Sequence, residues 1–211
     1  MLKMVIFDLD GVLLDACDWH RDALNASLKE VCNYEISLAD HYTTFNGIPT
    51  KVKLRKLTEM GILLEEDHEQ VYNLKQRKTI DIIQDNATQR PEKIALMKWL
   101  KDHSVRVSCF TNSIRETAYL MLEKTGIKED LELIITNQDV EHPKPHPEGY
   151  KKVLDHFNIA PEDAIIVEDS PKGKKAAYAA GCAVLEVENA EQVNIKVLKE
   201  FIDENFNSNG R

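Results

Sequence analysis

The chain is short of positive charge. Its 27 Lys and Arg face 36 Asp and Glu, a formal net charge of -9. Non-specific binding to nucleic acid or to an anionic membrane needs a basic surface, so this balance argues against both partners. A small anionic substrate, which senses only local charge, stays compatible with it. Long apolar runs are also missing. The N-terminal apolar stretch is stopped by Asp8 before it reaches signal-peptide length. No other stretch approaches the ~18 apolar residues of a membrane span. Cysteine is sparse and scattered: Cys17, Cys32, Cys109 and Cys182 contain no C-x-x-C pair. That removes the usual metal and disulfide patterns and suits a reducing cytosol, with Cys109 a small core residue inside an apolar run. Neither an internal repeat nor a low-complexity tract is visible. The expectation is a soluble, cytoplasmic, monomeric globular protein, its 211 residues enough for one sizeable domain or a core with a smaller insert.

What is present is a series of short apolar runs of β type: Met4–Phe7, Val105–Phe110, Leu131–Ile135, Ala164–Val167 and Ala183–Val187. Amphipathic helical patterns lie between the last four. Tyr150, Val153, Leu154 and Phe157 follow the i, i+3, i+4, i+7 rule, and Ile114, Ala118, Met121, Leu122 and Thr125 follow it approximately. Val197, Leu198, Phe201 and Ile202 mark a final helix, followed by a polar tail, NFNSNGR (205–211). Strands and helices in alternation, with strands apolar on both sides, predict a doubly wound α/β core around a parallel sheet. Residues 16–88 break the alternation: they hold helical patterns and turn signals but no convincing strand. That interval is too long for a crossover helix and reads as an inserted helical cap, leaving 1–15 and 89–211 as the core.

In open α/β sheets ligands bind beyond the carboxyl ends of the strands, so the residues just past each apolar run are the candidate site. After the first come Asp8 and Asp10; after VSCF come Thr111, Asn112 and Ser113. Lys144 lies some way past the third run, and Glu168 and Asp169 come after AIIV. Clustered carboxylates repel one another and resist burial. They become sensible if they hold a divalent cation while Lys144 faces an anion. Oxygen donors without histidine or cysteine favour a hard ion, and Mg2+ takes one or two carboxylates together with substrate phosphate oxygens. Thr111 and the backbone N–H groups around Asn112 and Ser113, where a helix is expected to begin, would hold the remaining phosphate oxygens. An aspartate can attack phosphorus itself, and a second carboxylate two residues on can protonate the leaving oxygen. Each residue also has a plain structural reading. Asp8 and Asp10 could simply end a strand, Thr111 suits a helix N-cap, and Ser170-Pro171 makes a normal helix start.

The segments DLDGVLLD, FTNS, HPKPHP and IIVEDSPKG, in this order and with a cap after the first, resemble the four motifs of the haloacid dehalogenase superfamily. The resemblance spans residues 4 to about 187 and lies closest to the branch holding β-phosphoglucomutase and phosphoglycolate phosphatase. It implies phosphoryl transfer with Asp8 as nucleophile, Asp10 as general acid/base, Thr111 as phosphate-binding hydroxyl and Lys144 as charge-stabilising lysine. It implies Mg2+ held by Asp8, Asp10 through its backbone carbonyl, and Asp169, with Glu168 either a direct ligand or one step removed. One departure stands at the third motif, where relatives commonly have Gly before the lysine and this chain has Pro143, preceded by His142. Prolines at 143, 145 and 147 each fix φ and predict a rigid presentation of Lys144.

Within the cap, a helix from about residue 17 would align Cys17, His20, Leu24, Leu28 and Val31, while Val71, Leu74, Lys78 and Ile82 would share a second face. His20 and Lys78 thus stand where apolar residues are expected and resemble positions used near substrate in this branch. The plain alternatives are a histidine bonded to a core carbonyl and a lysine reaching out to water. NGIPTK (46–51) is similar to the loop that selects substrate, making Gly47, Thr50 and Lys51 candidates. It is equally a good Asn-Gly turn. In β-phosphoglucomutase an arginine at the place of Thr50 grips a distal phosphate, so its replacement here disfavours a mutase. Trp19 and Trp99 read as packing residues. The leading expectation is a Mg2+-dependent phosphatase for a small phosphorylated metabolite: a sugar, polyol or hydroxy-acid phosphate. The alternatives are a β-phosphoglucomutase-like sugar phosphomutase and a catalytically silent binding protein on the same fold.

Overall fold

The computed structural model describes residues 1–206; the end of the polar tail, 207–211, lies outside the described residues. Five strands form one parallel sheet: β1 (Met4–Phe7), β2 (Arg106–Phe110), β3 (Leu133–Ile135), β4 (Ala164–Glu168) and β5 (Ala183–Glu186), in the order β3-β2-β1-β4-β5. The run read as Leu131–Ile135 is shorter than expected, because Leu131 is taken by a 3-10 turn at Lys128–Asp130 and its exit. Glu168, placed after its strand from sequence, is the last residue of β4.

All four residues of β1 are buried, as both flanking strands and covering helices require. Side chains alternate along it: Met4 and Ile6 share a cluster with Phe110, Tyr150, Val153, Ile166 and Ala177. The register sets Phe7 beside both Cys109 and Val167. The residues next along each chain, Asp8, Phe110 and Glu168, are therefore delivered to the same edge of the sheet by backbone pairing alone.

Between the strands run α5 (Pro91–Asp102), α6 (Arg115–Thr125), α7 (Glu148–Phe157) and α8 (Pro171–Ala180), with α9 (Ile195–Asn205) closing the described chain. Ser170 caps α8 by accepting from the Gly173 N–H at 3.0 Å, with Pro171 in the first turn, as its sequence suggested. The stripe Ala118, Met121, Leu122 and Thr125 is buried on α6, but that helix starts at Arg115 with Ile114 as its N-cap, later than expected.

The chain divides into two compact units, Met1–Asp15 with Thr88 onward, and Ala16–Ala87. The second is helical throughout: α1 (Cys17–Cys32), a single turn α2 (Leu38–Asp40), a π-helical turn at His41–Phe45, α3 (Thr50–Glu59) and α4 (His68–Asn86). Leu24 and Leu28 of α1 pack with Ile36, Phe45, Leu54, Leu57, Leu63 and Val71. Each such buried side chain contributes roughly 1.5–3 kcal/mol. The Asn25 amide clamps the turn after α1, donating to the Ile36 carbonyl and accepting from its N–H, both at 3.0 Å. Among the described residues no helix is long and apolar enough to cross a membrane.

Candidate active site

Asp8 comes directly after β1 and is 6% exposed. Its Oδ1 accepts from Lys144 Nζ at 2.5 Å, and the same ammonium donates to Glu168 Oε1 at 2.5 Å. Lys144 reaches this position from the loop between β3 and α7. Its backbone is held on both sides by the Asn112 side chain, which accepts from the Lys144 N–H at 3.0 Å and donates to its carbonyl at 3.2 Å. Glu148 steadies the start of the same loop, accepting from the N–H groups of Glu141 and His142 at 3.0 and 2.9 Å. The Lys144–Pro145 peptide is cis.

Burial alone would lower the Lys144 ammonium, but the charges of Asp8 and Glu168 outweigh it and hold its pKa above the ordinary lysine range. Asp8 feels the opposite balance. Desolvation pushes its carboxyl well above the usual range, Lys144 opposes, and repulsion from Glu168, Asp169 and Asp10 adds to the rise. Lys144 thus offsets part of a four-carboxylate cluster, which remains short of positive charge.

Asp10 is held differently. Its Oδ2 accepts from the Ser113 hydroxyl at 2.9 Å and the Thr111 hydroxyl at 3.2 Å. Thr111 Oγ1 also accepts the Ser113 N–H at 3.0 Å. The three residues of TNS thus form a tight turn: Thr111 and Ser113 hold Asp10, and Asn112 holds the lysine loop. Sequence reading placed Asn112 and Ser113 against substrate at a helix start. The later start of α6 at Arg115 takes that helix terminus away from them, and these side chains serve their neighbours.

One ligand atom from each of Asp8, Glu168 and Asp169 lies within 4.8 Å of the others, a set that could hold a metal ion. Asp169 Oδ1 is buried and has no hydrogen-bond partner among the described residues. Its carboxyl is pushed up to about 7, first by burial and then by Glu168. Two glycines make room for these carboxylates. Gly11 has φ +91°, and a Cβ there would fall 2.2 Å from Asp169 Oδ2. A Cβ at Gly173 would fall 1.9 Å from Glu168 Oε1. Both glycines stand in the sequence motifs, yet only the packing shows what they are for. Asp15, the third carboxylate of the first motif, does not join the cluster; its Oδ1 accepts from the Ala190 N–H at 3.0 Å.

In the helical unit the expected stripe on α4 is off by one position. The buried face is Val71, Lys75, Thr79 and Ile83, not Val71, Leu74, Lys78 and Ile82. Lys78 pairs with Glu30 of α1 at 3.0 Å and is partly exposed. The buried cation is Lys75, which donates to His20 Nδ1 at 3.2 Å. Counting strictly by four from Val71 would have found it; the mixed three-and-four count did not. Lys53 on α3, one of the basic residues that the sequence offers as a second phosphate anchor together with Lys51, Arg55 and Lys78, is a second buried cation, 7% exposed. Gly47 takes φ +68° in the loop before α3, Thr50 is the first residue of that helix, and Lys51 lies exposed over the Tyr72 ring at 5.8 Å.

The sequence model of the haloacid dehalogenase-like hydrolases matches residues 5–187. Phosphoglycolate phosphatase from Nitrosococcus oceani is 28% identical over 190 residues, covering 87% of this chain and 82% of that protein. A phosphorylated carbohydrates phosphatase from Thermotoga maritima is 25% identical over 183 residues, covering 85% of this chain and 82% of its own. The crystal structure of β-phosphoglucomutase from Clostridium difficile shares the fold at a TM-score of 0.81 and 22% identity, over 97% of this chain and 98% of that one. The match runs from β1, which leads into Asp8, to just past β5, the last strand of the sheet, and the chain belongs to the haloacid dehalogenase-like hydrolases.

Proposed function

We propose that the protein is a Mg2+-dependent phosphatase for a small phosphorylated metabolite of the sugar, polyol or hydroxy-acid phosphate class, with the helical unit Ala16–Ala87 acting as its substrate-selecting cap. The observation that carries this reading is the unequal treatment of two carboxylates at one strand end. Asp8 is held by an ammonium, as suits a nucleophile that must stay anionic and aimed. Asp10 is held by two hydroxyls, as suits a group that exchanges a proton. The phosphatase names of its relatives support the same reading.

In the first half-reaction a carboxylate oxygen of Asp8 attacks phosphorus, the ester P–O bond breaks, and the Asp10 carboxyl gives its proton to the departing alkoxide. In the second, Asp10 removes a proton from water as that oxygen attacks the phosphoaspartate, releasing phosphate and restoring both side chains. Lys144 steadies the negative charge on the transferring oxygens. The carboxylate set fits a hard divalent ion, because the buried, unbonded Asp169 Oδ1 and the surplus of negative charge both lack compensation from the described protein groups. Asp8, Asp169, the Asp10 carbonyl and, directly or through water, Glu168 would hold Mg2+. Bound there, the ion would supply charge neutralisation to the phosphoryl oxygens.

A sugar phosphomutase is the second reading. It is favoured by one feature, the burial of two cations, Lys53 and Lys75, in the helical unit, which suits a second anionic group on the substrate.

The test is phosphate release from a panel of sugar, polyol and hydroxy-acid monophosphates, with Mg2+ and with chelator. Wild type should release phosphate only with Mg2+, and Asp8→Asn should reduce the rate by about 10³-fold or more. Release by Asp8→Asn at the wild-type rate would overturn the mechanism. Conversion of a sugar phosphate to an isomer without release would select the mutase.

A further inference from the structure

Tyr150 reads from sequence as one more core residue on the apolar face of α7, and it is fully buried. A core position of this kind asks only for a ring. Phenylalanine would fill it without burying a hydroxyl. The hydroxyl is nevertheless there, and it donates to Glu168 Oε1 at 2.6 Å. That oxygen is the one that also accepts from Lys144 Nζ at 2.5 Å. The other oxygen of Glu168 takes the Ser170 N–H at 3.4 Å and the Ser170 hydroxyl at 3.3 Å. Glu168 is therefore fixed at both ends.

The ring contributes separately. Lys144 Nζ lies 5.0 Å from the Tyr150 centroid and 4.8 Å from that of Phe110, and the two rings meet edge to face at 88° with centroids 4.9 Å apart. They form an aromatic slot for the ammonium. Gly149 is what lets α7 come this close, since a Cβ there would sit 2.3 Å from the Phe110 ring.

We infer that Tyr150 is a positioning residue for the phosphoryl transfer: its hydroxyl shares Glu168 Oε1 with Lys144, so that the ammonium is divided between Glu168 and Asp8 instead of settling on Glu168. This rests on the phosphatase reading above. An acceptor oxygen that serves two donors holds each less tightly than one that serves a single donor. Removing the phenolic donor should therefore draw Lys144 toward Glu168 and away from Asp8 and the phosphoryl oxygens it serves.

The variant is Tyr150→Phe, which keeps the ring, the slot and the packing. With the substrate that wild type turns over best, kcat should fall about tenfold, the worth of one such hydrogen bond. KM and the Mg2+ concentration for half-maximal rate should each stay within about twofold. A purely structural role would leave kcat per folded molecule unchanged and lower only the melting temperature. That outcome overturns the inference, as does a loss that appears in KM or in Mg2+ affinity alone. Crystal structures of wild type and Tyr150→Phe give a readout that does not depend on turnover: Lys144 Nζ should leave hydrogen-bond distance of Asp8 Oδ1 in the variant. An unmoved lysine overturns the inference. If wild type releases no phosphate from any substrate, the phosphatase reading fails, and the crystal comparison still decides what Tyr150 does to Lys144.

Discussion

Two buried lysines, one in each unit, are held by different means. In the α/β unit Lys144 is 5% exposed and meets two carboxylates at 2.5 Å, each brought by its own strand end. In the helical unit Lys75 is 6% exposed and meets the ring nitrogen of His20. His41, in the same unit, is buried with neither ring nitrogen hydrogen-bonded among the described residues. The first arrangement is a network of opposite charges whose geometry comes from sheet register. In the second, a buried lysine on one helix meets a ring nitrogen presented by another. A parallel sheet can gather charges from distant parts of the sequence at one edge, because pairing fixes every strand end relative to the next. Helices bring together only what their packed faces happen to share, so their buried polar groups are set one face at a time.

The contrast breaks most visibly where the strand-end network is crowded. Gly173 sits on α8 against the Glu168 carboxylate, and any Cβ there meets three of its atoms within 2.1 Å. Gly173→Ala should destabilise the protein by about 1–3 kcal/mol through overpacking, read as a lowered thermal midpoint. Because the displaced group is the partner of Lys144, phosphate release should fall in the folded variant as well. An unchanged midpoint together with unchanged activity would show that the network is looser than its close contacts imply.

Much of this was legible in the sequence, and the reason is the sheet. Continuous apolar runs announce parallel strands, and the residues after each run must land at the ligand-binding edge, so Asp8, Thr111, Lys144 and Asp169 could be named without coordinates. The legibility fades where a side chain's task depends on what packs against it. Nothing in GYKKV says that the Tyr150 hydroxyl, and not only its ring, is used. Nothing in TNSI shows that Ser113 reaches back to Asp10 or that Asn112 clamps a loop 32 residues on. On α4 the error is one of phase. At 100° per residue, a stripe started at Val71 selects Lys78 if its first step is three and the next four, and Lys75 if every step is four. Apolar Leu74 and Ile82 favoured the wrong face, since buried Lys75 and Thr79 looked like solvent residues.

The helical unit offers a pH test that the α/β network does not complicate. Burial lowers His41 from its usual range to about 4, with Lys53 and then Arg21 adding to the drop while Asp18 and Asp22 oppose it. A histidine whose pKa is lower in the folded chain than in the unfolded one binds fewer protons when folded across the window between them. Stability contributed by keeping this ring neutral is thus complete above about pH 6.5 and is lost as pH falls toward 4. His41→Phe removes the titration and keeps a ring. Between pH 7 and pH 5 the wild-type midpoint should fall by about 2–4 °C more than that of the variant. Parallel curves would mean that the ring finds compensation on protonation.

The smallest effects separate the two lysines of α4, and they carry the comparison between units furthest. Lys78 pairs with Glu30 while about a third of its side chain is exposed. Surface pairs of this kind are worth about 0–1 kcal/mol, so Lys78→Met should shift the midpoint by a degree or two and leave KM within error. Lys75→Met replaces a buried ammonium by an apolar chain of similar length and takes a hydrogen-bond partner from His20, which should cost about 1 kcal/mol of stability. If the helical unit selects an anionic substrate, as proposed, the same change should also raise KM of the folded variant by about tenfold, the loss of one charged contact. A buried cation whose removal costs binding beyond its cost in stability is one that serves a ligand. Equal KM values for the two variants would make Lys75 a packing residue, and the helical unit would then have to recognise its substrate through other groups.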